Sequence, residues 1–273
     1  MRTRDPNILL DLAGLPMHAP KEVLRMDLDD PAVWNRPALA TDASATEHWG
    51  GGANIAGEPV EEPEATFRQK LAVVFGRAKI LLPGWERYHI ESRHMSTIAY
   101  CTGIDSIYGQ MFRLRGHRDN GGQWGTINHE THAFVLLMGL GQTATRRAWQ
   151  SVGMLWFAMG APDMKGHRDW NSDPRSQSTT SCPGDVNSDK IHTGFYLTAL
   201  GALRYRPHRK IKRGRLVLLW TARLTELGYM GGVSRRYRAK ERTATRMYQR
   251  DRGLRADGIV GPVTWGDAAL LDR

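Results

Sequence analysis

Gly166-His167-Arg168-Asp169-Trp170 and, fifteen residues after the histidine, Cys182 within Thr180-Ser181-Cys182-Pro183-Gly184 are the stretches on which the reading of this chain turns. An imidazole and a thiol stand there on short segments punctuated by glycine and proline. Imidazole nitrogen and thiolate sulfur are donors that suit Zn2+, and a catalytic zinc needs only three protein ligands, leaving its fourth position to water. A third donor is then expected from elsewhere in the chain. The cysteine count leaves an alternative open: Cys101 and Cys182 are the only two, so a disulfide between them or a buried thiol would also account for Cys182.

With 273 residues, 41% of them hydrophobic, the chain exceeds one typical domain and has enough apolar side chains for ordinary cores. Its formal charge of +10 is unevenly spread. Residues 201–273 hold 18 Lys and Arg against 6 Asp and Glu, a net +12, which leaves −2 for residues 1–200. A basic C-terminal end favours association with a polyanion. No nucleic-acid module is recognisable, so a nucleic acid is not the expected partner. No stretch reads as a membrane span.

Residues 1–75 are rich in Asp, Glu, Pro and Ala, include the loop-like Trp49-Gly50-Gly51-Gly52, and carry no motif. Ala65 to Phe75 has helical apolar spacing. From Ile80 onward strands and turns are expected, with Tyr88-His89-Ile90 and Thr97 to Cys101 as β-friendly runs. Gln142 to Met159 reads as a long helix with Ala148, Val152, Leu155, Trp156 and Met159 on one face, ended by Gly160-Ala161-Pro162. The order strand, hairpin, strand, helix, then the strand that ends at Gly166 predicts an α/β (α+β) fold, a mixed central sheet flanked by helices. His129 and His132 form an HxxH whose members point to opposite faces of a strand. The doubling of Gly-His-Arg-Asp at residues 116–119 and 166–169 reads as coincidence.

The GHRD and TxCPG elements resemble the C-terminal half of the zinc-dependent N-acetylmuramoyl-L-alanine amidases, the family that includes amidase-type phage lysozymes and peptidoglycan recognition proteins. Upstream, Gly103-Ile104-Asp105-Ser106-Ile107-Tyr108 is similar to that family's GxDGxxY hairpin. Gly116-His117, Trp124, Asn128-His129 and Ala133 to Gly139 resemble its following loop and core strand. The likeness spans residues 80–195. A second, separate resemblance lies at Ala244 to Trp265, where Tyr248-Gln249, Gly253-Leu254, Asp257-Gly258, Val260-Gly261 and Thr264-Trp265 stand in the order of a peptidoglycan-binding domain type 1. Leu216 to Tyr229 matches that module's first helix.

Together these imply a segment of unknown role at 1–75, a zinc amidase domain at 76–200, a basic linker at 201–215 and a small helical peptidoglycan-binding domain at 216–273. The implied activity is hydrolysis of the amide between N-acetylmuramic acid and L-alanine, with Zn2+ as cofactor and with peptidoglycan and anionic cell-wall polymers as partners. The relatives usually place their first zinc ligand in an HHT-like strand end, which this sequence lacks. His89 is the first candidate, with His94 and Cys101 as alternatives, beside His167 and Cys182. The resemblance makes Thr180 and Tyr100 candidates for orienting water or steadying an oxyanion, and His117 a candidate for contacting substrate. Arg168 and Asp169 are expected to brace the loop. The opening Met1-Arg2-Thr3-Arg4-Asp5-Pro6 does not read as a secretory signal. A phage endolysin held in the host cytoplasm until released to the wall is therefore expected, with a virion component or a catalytically silent wall-binding protein as alternatives.

Overall fold

A computed structural model of the protein describes residues 66–93, 98–114, 131–138, 142–160, 163–177, 179–207 and 212–270, together with the backbone of two strands further upstream. The strands are β1 (Pro16–His18), β2 (Ser44–Trp49), β3 (Thr102–Asp105), β4 (Met111–Arg113), β5 (Thr131–Leu137) and β6 (Met164–Gly166). They form one sheet in the order β1-β4-β3-β5-β2-β6. β3 and β4 pair antiparallel as a hairpin, and the other neighbours run parallel. This is the mixed sheet that the sequence predicts. The place between β5 and β6, however, is filled by β2, from a region whose sequence carries no strand signal.

Helix α1 (Phe67–Arg87) covers one face of the sheet. Its start is fixed by a capping box: the Gln69 N–H donates to Thr66 Oγ1 at 3.3 Å, and the Thr66 N–H donates to Gln69 Oε1 at 2.8 Å. Val74, Ala78, Leu81 and Leu82 recur at helical spacing and pack on Phe112, Val135 and Leu137. The helix continues into a π-helical turn, Tyr88–Ser92. The strand expected at Tyr88–Ile90 is thus a helix end, because three β-friendly residues cannot override a ladder already propagating from a capped start. Residues 98–101 lie outside the strands, and the hairpin begins at Thr102. α1 is also pinned to the sheet by buried Arg77, whose Nη2 donates to Ser106 Oγ at 2.7 Å and to the Leu137 carbonyl at 2.6 Å, with Asp105 Oδ1 3.5 Å from Nε.

Strand β5 is buried along its whole length. Val135 and Leu137 face α1, while Phe134 and Leu136 join the core on the other side, as the two-residue period of a strand requires. That second core is built on α2 (Arg146–Met159), capped by Thr145 and closed by Gly160. Ala148, Val152, Leu155 and Trp156 are buried, as the spacing predicts, but so are Trp149, Ser151, Met154 and Phe157. The helix is covered on nearly every side. Downstream, α3 (Asp185–His192) and α4 (Phe195–Leu200) follow. At Gly153 an added Cβ would lie 2.5 Å from the Tyr196 carbonyl, so only glycine lets α4 approach α2 this closely.

The remaining cover of α2 comes from the C-terminal unit: β7 (Lys212–Arg213), α5 (Arg215–Glu226), β8 (Arg236–Tyr237), α6 (Ala239–Asp251) and α7 (Pro262–Ala269). Trp220, Tyr248 and Trp265 form its aromatic centre, and Phe157 of α2 stacks edge-on against Trp265 with centroids 4.9 Å apart. Trp265 Nε1 donates to the Gly201 carbonyl at 3.1 Å, and Leu203 pairs with Val260. One hydrophobic cluster therefore runs from Ile104 to Ala269. Among the described residues no helix is long and apolar enough to cross a membrane.

Because Phe157 belongs to both units, Phe157→Ala should cost about 3–5 kcal/mol, the range for emptying a buried aromatic site. Thermal unfolding of the parent should follow a single transition. Separate melting of the sheet and the C-terminal helices, seen by calorimetry, would contradict a shared core.

Candidate functional site

β6 ends at Gly166, and the chain turns directly into the 3-10 turn His167–Trp170. The Arg168 N–H donates to the Cys182 carbonyl at 2.7 Å, so the histidine-bearing and cysteine-bearing segments are joined backbone to backbone. At Gly166 an added Cβ would sit 2.6 Å from Pro183 Cδ, and this close approach demands the glycine. α3 braces the turn: Arg168 Nη1 meets Asp185 Oδ1 at 2.5 Å and Arg168 Nε donates to Ser188 Oγ at 3.2 Å. Asp169 Oδ2 accepts the Gly166 N–H at 2.8 Å and lies 3.0 Å from His192 Nε2. Arg168 and Asp169 are thus bracing residues, as expected. A cleft of about 600 Å³ lined by Lys165, Arg168, Asp169, Asn171 and His192 flanks the turn.

Cys182 is buried, and both cysteines are thiols, which removes the disulfide alternative. Thr180 Oγ1 accepts the Cys182 N–H at 3.1 Å, and Asn171 clasps the Thr180 backbone with bonds of 2.8 and 3.2 Å. A hydroxyl that accepts one bond still has its own proton to donate. Thr180 can therefore hold the cysteine loop and point a donor outward at the same time.

His89 and Tyr100 meet at the end of α1. The π-helical turn carries His89 into the interior, where its ring lies edge-on to Tyr100 with centroids 5.1 Å apart. Trp85 flanks Tyr100 from the helix side at 6.0 Å. The phenol is held well above its ordinary pKa, first by loss of hydration, then by the negative charge of a Cys182 thiolate and of Tyr88. Tyr100 is thus within electrostatic reach of Cys182, and His89, Tyr100, Thr180 and Cys182 gather on one side of the molecule together with the His167 turn.

His89 Nδ1 accepts the Ala99 N–H at 3.3 Å. A neutral imidazole that accepts at Nδ1 carries its proton on Nε2, so binding a metal through Nε2 would require this hydrogen bond to be given up. Cys101 is buried next to β3. His132 is also buried, with Nε2 3.2 Å from Thr102 Oγ1. His94, His117 and His129 lie outside the described residues. Among the described residues, no three or more His, Cys, Asp or Glu side chains are grouped so as to hold a metal ion.

The sheet register adds a residue that the motifs do not point to. β2 pairs parallel with β6, with Glu47 opposite Gly166. The ladder ends there, so His48 is the next residue of β2 just as His167 is the first residue of the turn that follows β6. A histidine just before a strand end, followed by Gly50-Gly51-Gly52 and ahead of a long helix, is the signal that could have drawn attention to it.

Residues 213–266 match the family model described as a putative peptidoglycan binding domain. No curated protein matches the chain. Among solved structures, the chain is similar to human PGRP-IBETAC in complex with glycosamyl muramyl pentapeptide, at 14% identity and a TM-score of 0.42 over 59% of this chain and 92% of that one. It is similar to bumblebee PGRP-SA at 14% identity and a TM-score of 0.43, over 65% and 94% of the two chains. The N-acetylmuramoyl-L-alanine amidase LysC from Clostridium intestinale is similar at 17% identity and a TM-score of 0.34, over 56% and 86%.

Tyr100, and with it Tyr237 and Tyr248, has its phenol pKa raised mainly by burial. A folded-state pKa above the unfolded value of about 10 means that the native protein keeps protons the unfolded chain has lost. This contribution to stability is fully present below about pH 10 and falls as the pH rises beyond it. Phenolate absorbance should therefore rise for these residues only together with alkaline unfolding, and Tyr100→Phe should remove part of that signal. Free titration of all tyrosines in the native state, at the ordinary midpoint, would contradict the burial described.

Proposed function

We propose that the chain is a peptidoglycan hydrolase that cuts the amide between N-acetylmuramic acid and L-alanine while its C-terminal unit holds the wall. The observation that carries this reading is the 2.7 Å backbone bond that brings the His167 and Cys182 segments together beside Tyr100. The family match over residues 213–266 supports the wall as the substrate-bearing surface.

The donors fit zinc in kind: one nitrogen at His167, one sulfur at Cys182, and a further histidine, His48, which follows the β2 residue paired with Gly166, with His89 as the alternative. Zn2+ held by such a set supplies Lewis-acid chemistry toward an amide carbonyl at neutral pH. The chain's own groups account for the rest. Tyr100, kept protonated, donates a hydrogen bond where negative charge develops on the carbonyl oxygen. The Thr180 hydroxyl offers a second donor, steadied by Asn171. Asp169 and Arg168 keep the turn in place, and the cleft beside it takes the peptide stem.

A second reading, a wall-binding protein without catalysis, is favoured by the bond from Ala99 that occupies Nδ1 of His89 and ties that imidazole to the backbone.

Zinc analysis beside digestion of purified peptidoglycan separates the two. Hydrolysis predicts about one metal per chain and new L-alanine amino termini, with both lost in Cys182→Ser. His48→Ala should lose the metal while His89→Ala keeps it, and the reverse result would return the third ligand to His89. Lysis that survives Cys182→Ser would overturn the hydrolase as described, and wall binding without release would establish the silent reading.

A further inference from the structure

A second concave site lies where the C-terminal unit meets α2, distinct from the His167–Cys182 cluster. It is a cavity of about 340 Å³ between the β3–β4 turn, one face of α2 and the start of α5. Arg147, Lys212, Arg213 and Arg215 line it together with Gln150 and Ser151, and among the described residues of its lining there is no Asp or Glu. Four cations around one cavity repel one another. Arg215, which reaches Gln110 Oε1 at 3.4 Å, has its pKa lowered by loss of hydration on burial.

The cations also stand against the helix dipoles. Arg215 opens α5, whose N-cap Gly214 makes no side-chain cap and whose first turn has no acidic residue. Arg147 lies in the first turn of α2, which likewise has none. Helix N-termini favour negative charge, and a cation there is disfavoured. Two such misplacements facing the same cavity are a local conflict that an anion would resolve, and conflicts of this kind gather at functional sites.

We propose that this cavity is a phosphate site and that its occupant is the phosphodiester backbone of an anionic cell-wall polymer. Phosphate suits the arrangement because its oxygens can accept from several guanidinium groups at once, and because negative charge is favoured at helix N-termini. The phosphate chemistry stands on the cavity alone, whereas the choice of polymer rests on the wall reading above.

The test uses the full chain and three probes: inorganic phosphate, poly(glycerol phosphate), and a random-sequence DNA oligomer with the same number of phosphates. Both phosphate and poly(glycerol phosphate) should bind and raise the melting temperature. Binding should weaken at least about tenfold in the double variant Arg213→Gln, Arg215→Gln, the loss expected for charge-assisted bonds. Each cation removed should lower the logarithmic salt dependence by about one. Without ligand, the double variant should melt at or above the parent temperature, since repulsion has been relieved; a misfolded variant would melt lower. That second readout separates loss of the site from loss of the fold. The phosphate site is overturned if inorganic phosphate and poly(glycerol phosphate) fail to bind at low salt, or bind the variant equally. Tighter binding of DNA than of poly(glycerol phosphate) would overturn the wall polymer as occupant. Failure to bind polymer-free peptidoglycan would count against the wall reading and leave the phosphate titration standing.

Discussion

Burial of α2 on almost its whole circumference is the constraint on which the architecture rests. A surface helix buries one stripe. This one buries Trp149, Val152 and Trp156 as well as Met154 and Phe157, so it needs partners on more than one side. The sheet supplies Phe134 and Leu136, α4 supplies Tyr196 and Leu200, and the C-terminal unit supplies Trp220 and Trp265. The first turn of α2 also forms a wall of the cationic cavity.

On the opposite face of the sheet, α1 serves a different purpose. Arg77 ties it to the β3–β4 hairpin and to the end of β5. Its π-helical end then carries His89 inward against Tyr100. A π turn adds one residue to the helical repeat and re-aims the side chains beyond it, a device common at functional sites. The histidine is therefore placed by a helix fixed on the sheet and the tyrosine by the segment that leads into β3, while the cysteine and the second histidine are placed by loops tied to each other and to α3.

Much of this was legible in the sequence because it is local. The hairpin at Gly103 to Tyr108, the strand and turn around His167, and α2 itself each carry their signal within about a dozen residues, which is the range over which periodicity and turn chemistry act. The pairing of α2 with the C-terminal helices was not legible, since the same apolar face fits a helix that covers only a sheet. β2 escaped for a related reason. Ser-Ala-Thr-Glu-His-Trp has neither alternation nor an apolar run, and its place in the sheet comes from parallel partners many residues away. Its register is what brings His48 into consideration. At Tyr88 to Glu91 the error ran the other way, a strand-like pattern absorbed by a helix that had begun some twenty residues earlier.

The edge contact between Phe157 and Trp265, with the Leu203–Val260 bridge beside it, has a bearing on how the two ends of the molecule cooperate. Modules on a flexible tether sample a volume set by linker length, and their effective concentration falls as the tether grows. Here the two units share one core, so the spacing between the His167–Cys182 side and the C-terminal helices is fixed. Under the wall reading proposed above, a surface whose own repeat matches that span would be gripped at both points with little further ordering cost, and one with a different repeat would engage one unit at a time.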